Sequence, residues 1–274
     1  MRAFLKYLKI PADVVITGVL WCYFLLVYVL VFAPACLGAC VFSGNPRAAF
    51  QKYNHRFFRG FIWLLKKIVP GLRIQIDERI AGLHSTVVVC NHRSYLDPVL
   101  MIALFEKQST IVKSNFFRVP IFGRVIRAAG YIPSQGASGS AALLFKRLDS
   151  MTDFLADGGV LFVFPEGTRS RDGRIGPFNK GAFKIARRCN TPIDVLTIRH
   201  TDKLFTPGRF LFNTCVPNRI EVRWVGRIAP AAGTGKFEIN RVMEEAGALM
   251  AADLTPNPRI PEQESSYNER VSAV

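Results

Sequence analysis

The longest apolar segment of the chain is residues 14–42, which contain no charged side chain. As one helix it would be ~44 Å long, whereas the hydrocarbon core of a bilayer is ~30 Å thick. Two arrangements remain open: a single span from about Val14 to Phe32, or a shallow helical hairpin that is broken near Pro34 and Gly38. Basic residues flank both ends of the segment. They favour the hairpin, because the positive-inside rule then places both flanks on the cytoplasmic side.

Residues 46–69 follow with apolar side chains at every third or fourth position, which is the period of an amphipathic helix. Many of these apolar positions are aromatic, and basic residues occupy much of the remaining surface. This combination is typical of a helix that lies in the membrane interface, and the alternative is a core helix with a solvated polar face. The two segments together predict a membrane-anchoring helical region over residues 1–69.

From residue 70 the pattern changes to short apolar strands that alternate with helices, and this alternation predicts one α/β domain over residues 70–254. The polar, proline-containing segment 255–274 predicts a disordered tail. The predicted strands are 73–77, 86–90, 109–113, 160–164, 193–199 and 219–225, and the predicted helices are 98–106, 121–129, 138–157, 180–190 and 235–251.

The chain has 274 residues, of which 50% are hydrophobic, and a formal net charge of +16. This charge implies an acidic partner, which could be anionic lipid, nucleic acid or an acidic carrier protein. Nucleic acid fits poorly, because the basic residues accompany a long apolar run instead of lying on a soluble domain with exposed aromatics. The six cysteines lack the spacing of a disulfide framework, so we expect reduced thiols in a protein that faces the cytosol.

Candidate chemistry lies where two of the predicted strands end. His92 follows strand 86–90, and Asp97 comes five residues later, just before Pro98. If the chain turns there, the carboxylate can accept a hydrogen bond from Nδ1 of the ring and leave Nε2 free as a base. This is the serine-protease arrangement without its nucleophile, so the substrate would have to supply a hydroxyl. A lone histidine is more often structural than catalytic, and the interpretation therefore depends on a second motif.

The second motif follows strand 160–164 and reads Pro-Glu-Gly-Thr-Arg-Ser-Arg over residues 165–171. Its glycine allows a tight turn, and its arginines can bind anions. Together with Asn-His-x4-Asp at residues 91–97, this loop resembles the lysophosphatidic acid acyltransferase family of glycerolipid acyltransferases, over roughly residues 70–200. The resemblance implies an O-acyltransferase of phospholipid biosynthesis. It also implies an α/β fold with a mixed central sheet flanked by helices and an N-terminal membrane-embedded helical segment.

The resemblance implies that His92 and Asp97 are the catalytic residues. His92 would take the proton of the acceptor hydroxyl as that oxygen attacks the thioester of the donor, and Asp97 would orient the ring. The donor would be acyl-CoA or acyl carrier protein, and no metal or bound cofactor would be needed. Asn91 and Pro165 would build the turns. The protein would lie on a membrane, the inner membrane in a bacterium, with its active site facing the cytoplasm.

The same resemblance assigns the substrate-binding residues. Arg169 would hold a head-group phosphate, in a pocket shaped by Glu166, Gly167 and Thr168. Lys113, at the end of strand 109–113, is a candidate contact for an anionic group, and a solvated lysine is the alternative.

The chain departs from the family where lysophosphatidic acid acyltransferases usually carry an acidic residue followed by an arginine that holds the substrate phosphate. Pro133 and Ser134 stand at these places. Lys146 and Arg147 on the next helix could substitute. The departure leaves the acceptor open, and another lysophospholipid or a lyso-aminolipid is the alternative within the enzyme class. A non-enzymatic binder of anionic lipid is the alternative from another class.

Overall fold

The computed structural model describes residues 2–120, 122–134, 141–170, 173–229 and 238–255, with the side chains of residues 2–8 and 141–148 excepted. The predicted tail beyond residue 255, Arg171 and the side chains of Lys146 and Arg147 therefore lie outside the described part.

Within the described ranges, seven strands form one sheet in the order β1-β7-β6-β2-β5-β3-β4. All neighbouring strands are parallel except β6 and β7, which are antiparallel, so the sheet is mixed as predicted. Every residue of β2 is buried, because helices cover both faces of the sheet. The strands are β1 Leu72–Ile76, β2 Thr86–Cys90, β3 Gln108–Lys113, β4 Ile132–Ser134, β5 Val160–Val163, β6 Ile193–Arg199 and β7 Asn218–Ile228.

Two helical layers sandwich this sheet. Helices α3, α4 and α5 pack with the N-terminal helix on one face, which includes Val88 and Phe162. Helices α6, α7 and α9 pack on the other face, which includes Val87 and Leu161. The helices are α1 Arg2–Val27, α2 Ala33–Phe42, α3 Pro46–Ile68, α4 Leu96–Leu104, α5 Phe122–Ala128, α6 Ala141–Ala156, α7 Gly181–Arg188, α8 Thr201–Leu204 and α9 Ile239–Leu254.

The N-terminal apolar segment forms one continuous helix. Helix α1 passes through a π-helical segment, Tyr28–Phe32, directly into α2. The hairpin break predicted near Pro34 and Gly38 is therefore wrong. Pro34 has no N–H to donate to the preceding turn. The wider turn just before it, in which the Ala33 N–H donates to the Tyr28 carbonyl, lets the helix continue past the proline.

One side of this helix is fixed to the α/β domain by polar contacts. The buried carboxylate of Asp13 accepts hydrogen bonds from the backbone N–H and the hydroxyl of Thr214, at 2.7 and 2.6 Å. The hydroxyl of Thr17 accepts one from the N–H of Phe212 at 3.0 Å. The Trp21 ring stacks on Phe210 with 5.5 Å between the ring centroids. The helix therefore lies along the domain and contacts the segment that follows α8.

The other side of the helix is apolar and faces outward. Residues 9–42 are long and apolar enough to cross a membrane, and little of this stretch is buried. This surface indicates association with a membrane. Large apolar side chains of this stretch that are 63–88% exposed are Ile10, Val15, Leu25, Leu30, Leu37, Val41 and Phe42.

Helix α3 directs its aromatic face inward. Phe50, Phe57 and Phe61 are at most 6% exposed and belong to the core cluster between α1, α2 and the sheet. Its exposed aromatic residue is Trp63, at 61%. This packing corresponds to the core-helix alternative for residues 46–69.

Candidate active site

The sequence motifs meet at the carboxyl edge of the parallel strands. In the sheet, Val88 of β2 pairs with Phe162 of β5, and Phe162 pairs with Thr110 of β3. The segments that leave these three strands therefore start side by side, which is where open α/β sheets place their ligands. The first two segments contain His92 and the loop 165–170, and Lys113 is the last residue of β3.

His92 and Asp97 form a hydrogen-bonded pair. Nδ1 of His92 lies 2.8 Å from Oδ2 of Asp97, whose carboxylate is fully buried, and the His92 side chain is 16% exposed. The same oxygen accepts the backbone N–H groups of Arg93 at 2.6 Å and Ser94 at 2.7 Å. The His92 ring also stacks on Phe164, with centroids 4.2 Å apart. The ring is held on two sides, and Nε2 is left for a substrate.

The turn that carries the pair is tied to the neighbouring strand by Asn91. Its side-chain amide donates to the carbonyl of Ile198 at 2.8 Å and accepts from the Ile198 N–H at 2.7 Å. The Asn91 side chain thus adds two hydrogen bonds between the end of β2 and strand β6, in agreement with a role in building the turn.

The fourth partner of Asp97 comes from a distant part of the chain. The hydroxyl of Thr201, at the start of α8, donates to Oδ1 of Asp97 at 2.6 Å, and both residues are fully buried. The preceding residue, His200, has a left-handed backbone with φ of 64° and its carbonyl accepts from the Asn218 side chain. Sequence reasoning missed Thr201, because 104 residues separate it from Asp97 and no motif surrounds it.

Replacing Thr201 by valine, which has nearly the same shape, is expected to lower kcat for the reaction at His92 roughly tenfold, the effect of one hydrogen bond to a charged group. KM should not change, because the hydroxyl contacts Asp97 and not the cavity. Steady-state kinetics of Thr201→Val and of Thr201→Ser, which keeps the hydroxyl, provide the check. A loss in the serine variant equal to that in the valine variant would contradict the role of the hydrogen bond.

Glu166 connects the two motifs through the backbone. One of its carboxylate oxygens accepts the His92 N–H at 3.1 Å, and the other accepts the Gly176 N–H at 2.9 Å. Burial raises the pKa of this carboxyl, while the hydrogen bonds from Gly176 and His92 act in the opposite direction. Glu166 is not among the residues that line the cavity described below. Its contacts indicate that it positions His92.

The variant Glu166→Gln separates positioning from substrate binding. The side-chain NH2 of the glutamine would face one of the two backbone N–H donors, so one charge-assisted hydrogen bond would be lost. We therefore expect kcat to fall roughly 10- to 100-fold, with little change in KM. The exposed Glu78 serves as the matched control, as Glu78→Gln. A higher KM for the acceptor at unchanged kcat would instead support the substrate-binding role predicted from the sequence.

The guanidinium group of Arg169 is held against the ring of Tyr95. Its Cζ atom lies 3.7 Å from the ring centroid, and Nη2 donates to the Tyr95 hydroxyl at 3.0 Å. Nη1 is buried and has no hydrogen-bond partner among the described residues. Gly167, two residues before, has a φ of 69°, which favours glycine in this turn. The arginine is therefore fixed by stacking, with one nitrogen available to an anion.

A large cavity of about 1650 Å³ opens at these residues and continues between the sheet and helices α3, α4 and α5. Drug-sized ligand pockets are roughly 300–1000 Å³, so the cavity can hold an elongated ligand. It is lined by His92, Gly167, Thr168, Arg169 and Lys113. Of the seven predicted site residues, Asp97 and Glu166 contact His92 from behind the cavity wall.

The two residues that depart from the family pattern lie beside the same cavity. Pro133 and Ser134 belong to the edge strand β4, and the Ser134 carbonyl accepts the hydroxyl of Ser114 at 2.6 Å. Neither carries a charge, and the described cations that line the cavity are Arg93, Lys113, Arg169 and Arg209. Arg93 is paired with Asp202 at 3.5 Å.

Known proteins share this sequence pattern. The acyltransferase family model matches residues 71–199. A chloroplastic 1-acyl-sn-glycerol-3-phosphate acyltransferase of Brassica napus is 31% identical over 173 residues, which are 61% of this chain and 49% of that protein. The enzyme of the same name from Pseudomonas aeruginosa is 27% identical over 219 residues, which are 77% of this chain and 80% of that protein. The chain spans about half the length of the chloroplast relatives that it matches.

The fold also has a solved counterpart. The crystal structure of the 1-acyl-sn-glycerophosphate acyltransferase PlsC from Thermotoga maritima matches with a TM-score of 0.65, over 91% of this chain and 99% of that one. The sequence identity is 21%, so this match shows the common fold.

Proposed function

We propose that this chain, whose residues 71–199 match the acyltransferase family model, is a membrane-associated O-acyltransferase of the 1-acylglycerol-3-phosphate type. It moves a fatty acyl group from acyl-CoA or acyl carrier protein to the free hydroxyl of a lysophosphatidic acid-type acceptor, in phospholipid biosynthesis. The observation that carries the proposal is the His92–Asp97 pair at 2.8 Å, on the wall of a cavity that also contains Arg169.

His92 is the general base and then the general acid of the proposed reaction. Nε2 takes the proton of the acceptor hydroxyl while that oxygen attacks the thioester carbonyl, and the carbon–sulfur bond breaks as the tetrahedral intermediate collapses. The proton then passes from Nε2 to the leaving thiolate, which gives the ester and the free thiol. The Asp97 carboxylate orients the ring and stabilises the charged imidazolium between the two transfers. The substrate supplies the nucleophile, so no enzyme hydroxyl is acylated.

Arg169 is the proposed contact for the acceptor phosphate. Its unpartnered Nη1 and its stacked, fixed plane suit an anionic oxygen. Gly167 and Thr168 shape the loop around it, and Lys113 is a second cation on the cavity wall.

Another lyso-lipid is the second candidate acceptor, and the uncharged Pro133 and Ser134 favour it. A lysophospholipid or a lyso-aminolipid would make less use of a second phosphate contact at that place. The same cavity and the same histidine would serve this reaction.

The protein is proposed to lie on a membrane with its active site towards the cytoplasm, at the inner membrane in a bacterium. The exposed apolar side of residues 9–42 supports the attachment to a membrane, and the free cysteines support the cytoplasmic side. Membrane lipid, the lyso-lipid acceptor and the acyl donor are the partners.

Acyl transfer from a labelled long-chain thioester to a panel of lyso-lipids tests the function. With a phosphate-bearing acceptor, Arg169→Gln is expected to raise KM roughly 10- to 100-fold, the range for a lost hydrogen bond to a charged group. The control is Arg118→Gln, an exposed arginine that does not line the cavity. Transfer to an acceptor without a phosphate monoester, unaffected by Arg169→Gln, would select the second candidate, and no transfer to any acceptor would refute the function.

A further inference from the structure

The deep end of the cavity contains polar side chains that the proposed reaction does not use. Asn54 on α3, Thr110 on β3 and Tyr131 just before β4 all line the cavity. Their exposed fractions are 6%, 6% and 9%. These three residues are called the polar floor below.

The polar floor lies far below the catalytic histidine. Thr110 pairs with Phe162, which pairs with Val88, four residues before His92 in the strand direction. Because β2 ends at Cys90, the strand rise sets an upper limit of ~13 Å on this separation. Tyr131 directly precedes Ile132, the partner of Ile111 in the β3–β4 pairing, so it stands beside Thr110.

Asn54 reaches the same level from the opposite wall. Gln51, one turn earlier on α3, donates to the carbonyl of Ala129 at 3.1 Å, close in sequence to Tyr131. The next residue, His55, is hydrogen-bonded to the carbonyl of Ile102 at 3.1 Å. Both neighbours are thus satisfied by backbone, and Asn54 faces the cavity between them.

The polar floor has hydrogen-bonding capacity to spare. Among the described residues, none is hydrogen-bonded to the side chain of Asn54 or Thr110. The Tyr131 oxygen accepts from Gln108 at 2.9 Å, which leaves its own hydrogen for another acceptor. Covering such groups with a saturated hydrocarbon is unfavourable, because the chain displaces water and returns no hydrogen bond. A hydroxyl oxygen, which both donates and accepts, matches an amide and two hydroxyl groups.

We propose that the polar floor binds a hydroxyl oxygen, either of ordered water or of a hydroxyl group on the acyl chain, and so selects against an unsubstituted chain that is long enough to cover it. The proposal rests on the proposed function, since it takes the cavity below His92 as the place of the acyl chain. It adds a specificity determinant outside the two sequence motifs.

The test compares the native protein with Asn54→Leu, which keeps the size of the side chain and removes its polar atoms. Asn115→Leu is the matched control, because Asn115 lines the same cavity but is exposed. Saturated acyl-CoA donors of increasing length, and the longest of them with a hydroxyl group at successive carbons, are assayed for kcat/KM. Binding of the corresponding free fatty acids is measured in parallel, which needs no turnover.

The measured quantity is the ratio of kcat/KM for the longest unsubstituted chain to kcat/KM for the shortest, and the same ratio of binding affinities. Asn54→Leu is expected to raise both ratios roughly tenfold, the effect of relieving one buried unsatisfied group. Tyr131→Phe, which loses only the hydroxyl, should move the ratio in the same direction. A native preference for one hydroxylated chain, lost in Asn54→Leu, would assign the oxygen to the chain. Equal exclusion of plain and hydroxylated long chains, relieved in the variant, would assign it to water.

If the length profiles of native protein and Asn54→Leu coincide in turnover and in binding, the polar floor has no such role. The proposed function would still stand if short donors were used normally. If no donor supports transfer, the function fails, but the fatty acid binding ratios still decide about the polar floor.

Discussion

Replacing His92 by alanine is expected to lower kcat for acyl transfer roughly 10²- to 10⁴-fold, the usual contribution of a positioned acid–base group. In the proposed reaction the imidazole removes the acceptor proton and delivers it to the leaving thiolate, and alanine can do neither. KM for the acceptor should stay close to the native value, because Arg169 and the cavity wall remain. Labelled acyl transfer in membranes, at matched protein amounts, measures both constants.

His84→Ala is the matched control for this variant, since His84 is exposed and precedes β2 at the opposite edge of the sheet. Its activity should equal that of the native protein. Equal rates for native protein and His92→Ala on every acceptor would remove the catalytic assignment. In that case a non-enzymatic binder of anionic lipid would become the better explanation of the basic charge.

The variant Asp97→Asn is expected to reduce kcat by roughly 10²- to 10⁴-fold while the protein stays folded; the upper value is the effect of the corresponding change in the serine-protease triad. The side-chain oxygen can still accept from His92, Arg93 and Ser94, and the new NH2 can donate to the Thr201 hydroxyl. The geometry is thus retained, but the negative charge that stabilises the imidazolium is lost. The variant therefore isolates the electrostatic part of the role.

Comparison with Asp97→Ala sharpens this second expectation. Alanine leaves two backbone N–H groups and the Thr201 hydroxyl without their buried acceptor, so this variant should lose stability in addition to activity. Thermal unfolding in detergent and single-turnover kinetics separate the two effects. Native rates in Asp97→Asn would mean that the carboxylate is a structural link only.

The hydrogen-bonded pair of His92 and Asp97 was predictable because its geometry is local. His92 and Asp97 lie five residues apart in one turn, the apolar run before them identifies a buried strand, and the loop 165–171 is a literal motif. The match of residues 71–199 to the acyltransferase family model agrees with the resemblance, and the common fold confirms the mixed α/β sheet. The roles of the individual site residues and the domain boundaries stay predictions.

The contacts that escaped prediction depend on tertiary structure. Thr201 reaches Asp97 only because β6 lies next to β2. Strand β4 has only three residues and contains a proline, so its sequence does not indicate a strand. In α3 the polar Asn54 stands beside aromatic core positions, and the helical period alone does not reveal that a cavity lies there. The continuity of the N-terminal helix past Pro34 required a π-helical turn, which has no clear sequence signal.

The contacts of Asp13 and Thr17 with residues 212–214 make the apolar helix a wall of the cavity as well as the proposed membrane attachment. Phe24 and Tyr28 from this helix and Phe210 from the tethered segment all border the cavity. Cutting off residues 1–42 to obtain a soluble protein would therefore open the cavity on one side. Because the helix and the cavity wall are the same element, a bilayer whose thickness or curvature tilts the helix is expected to change the shape of the cavity.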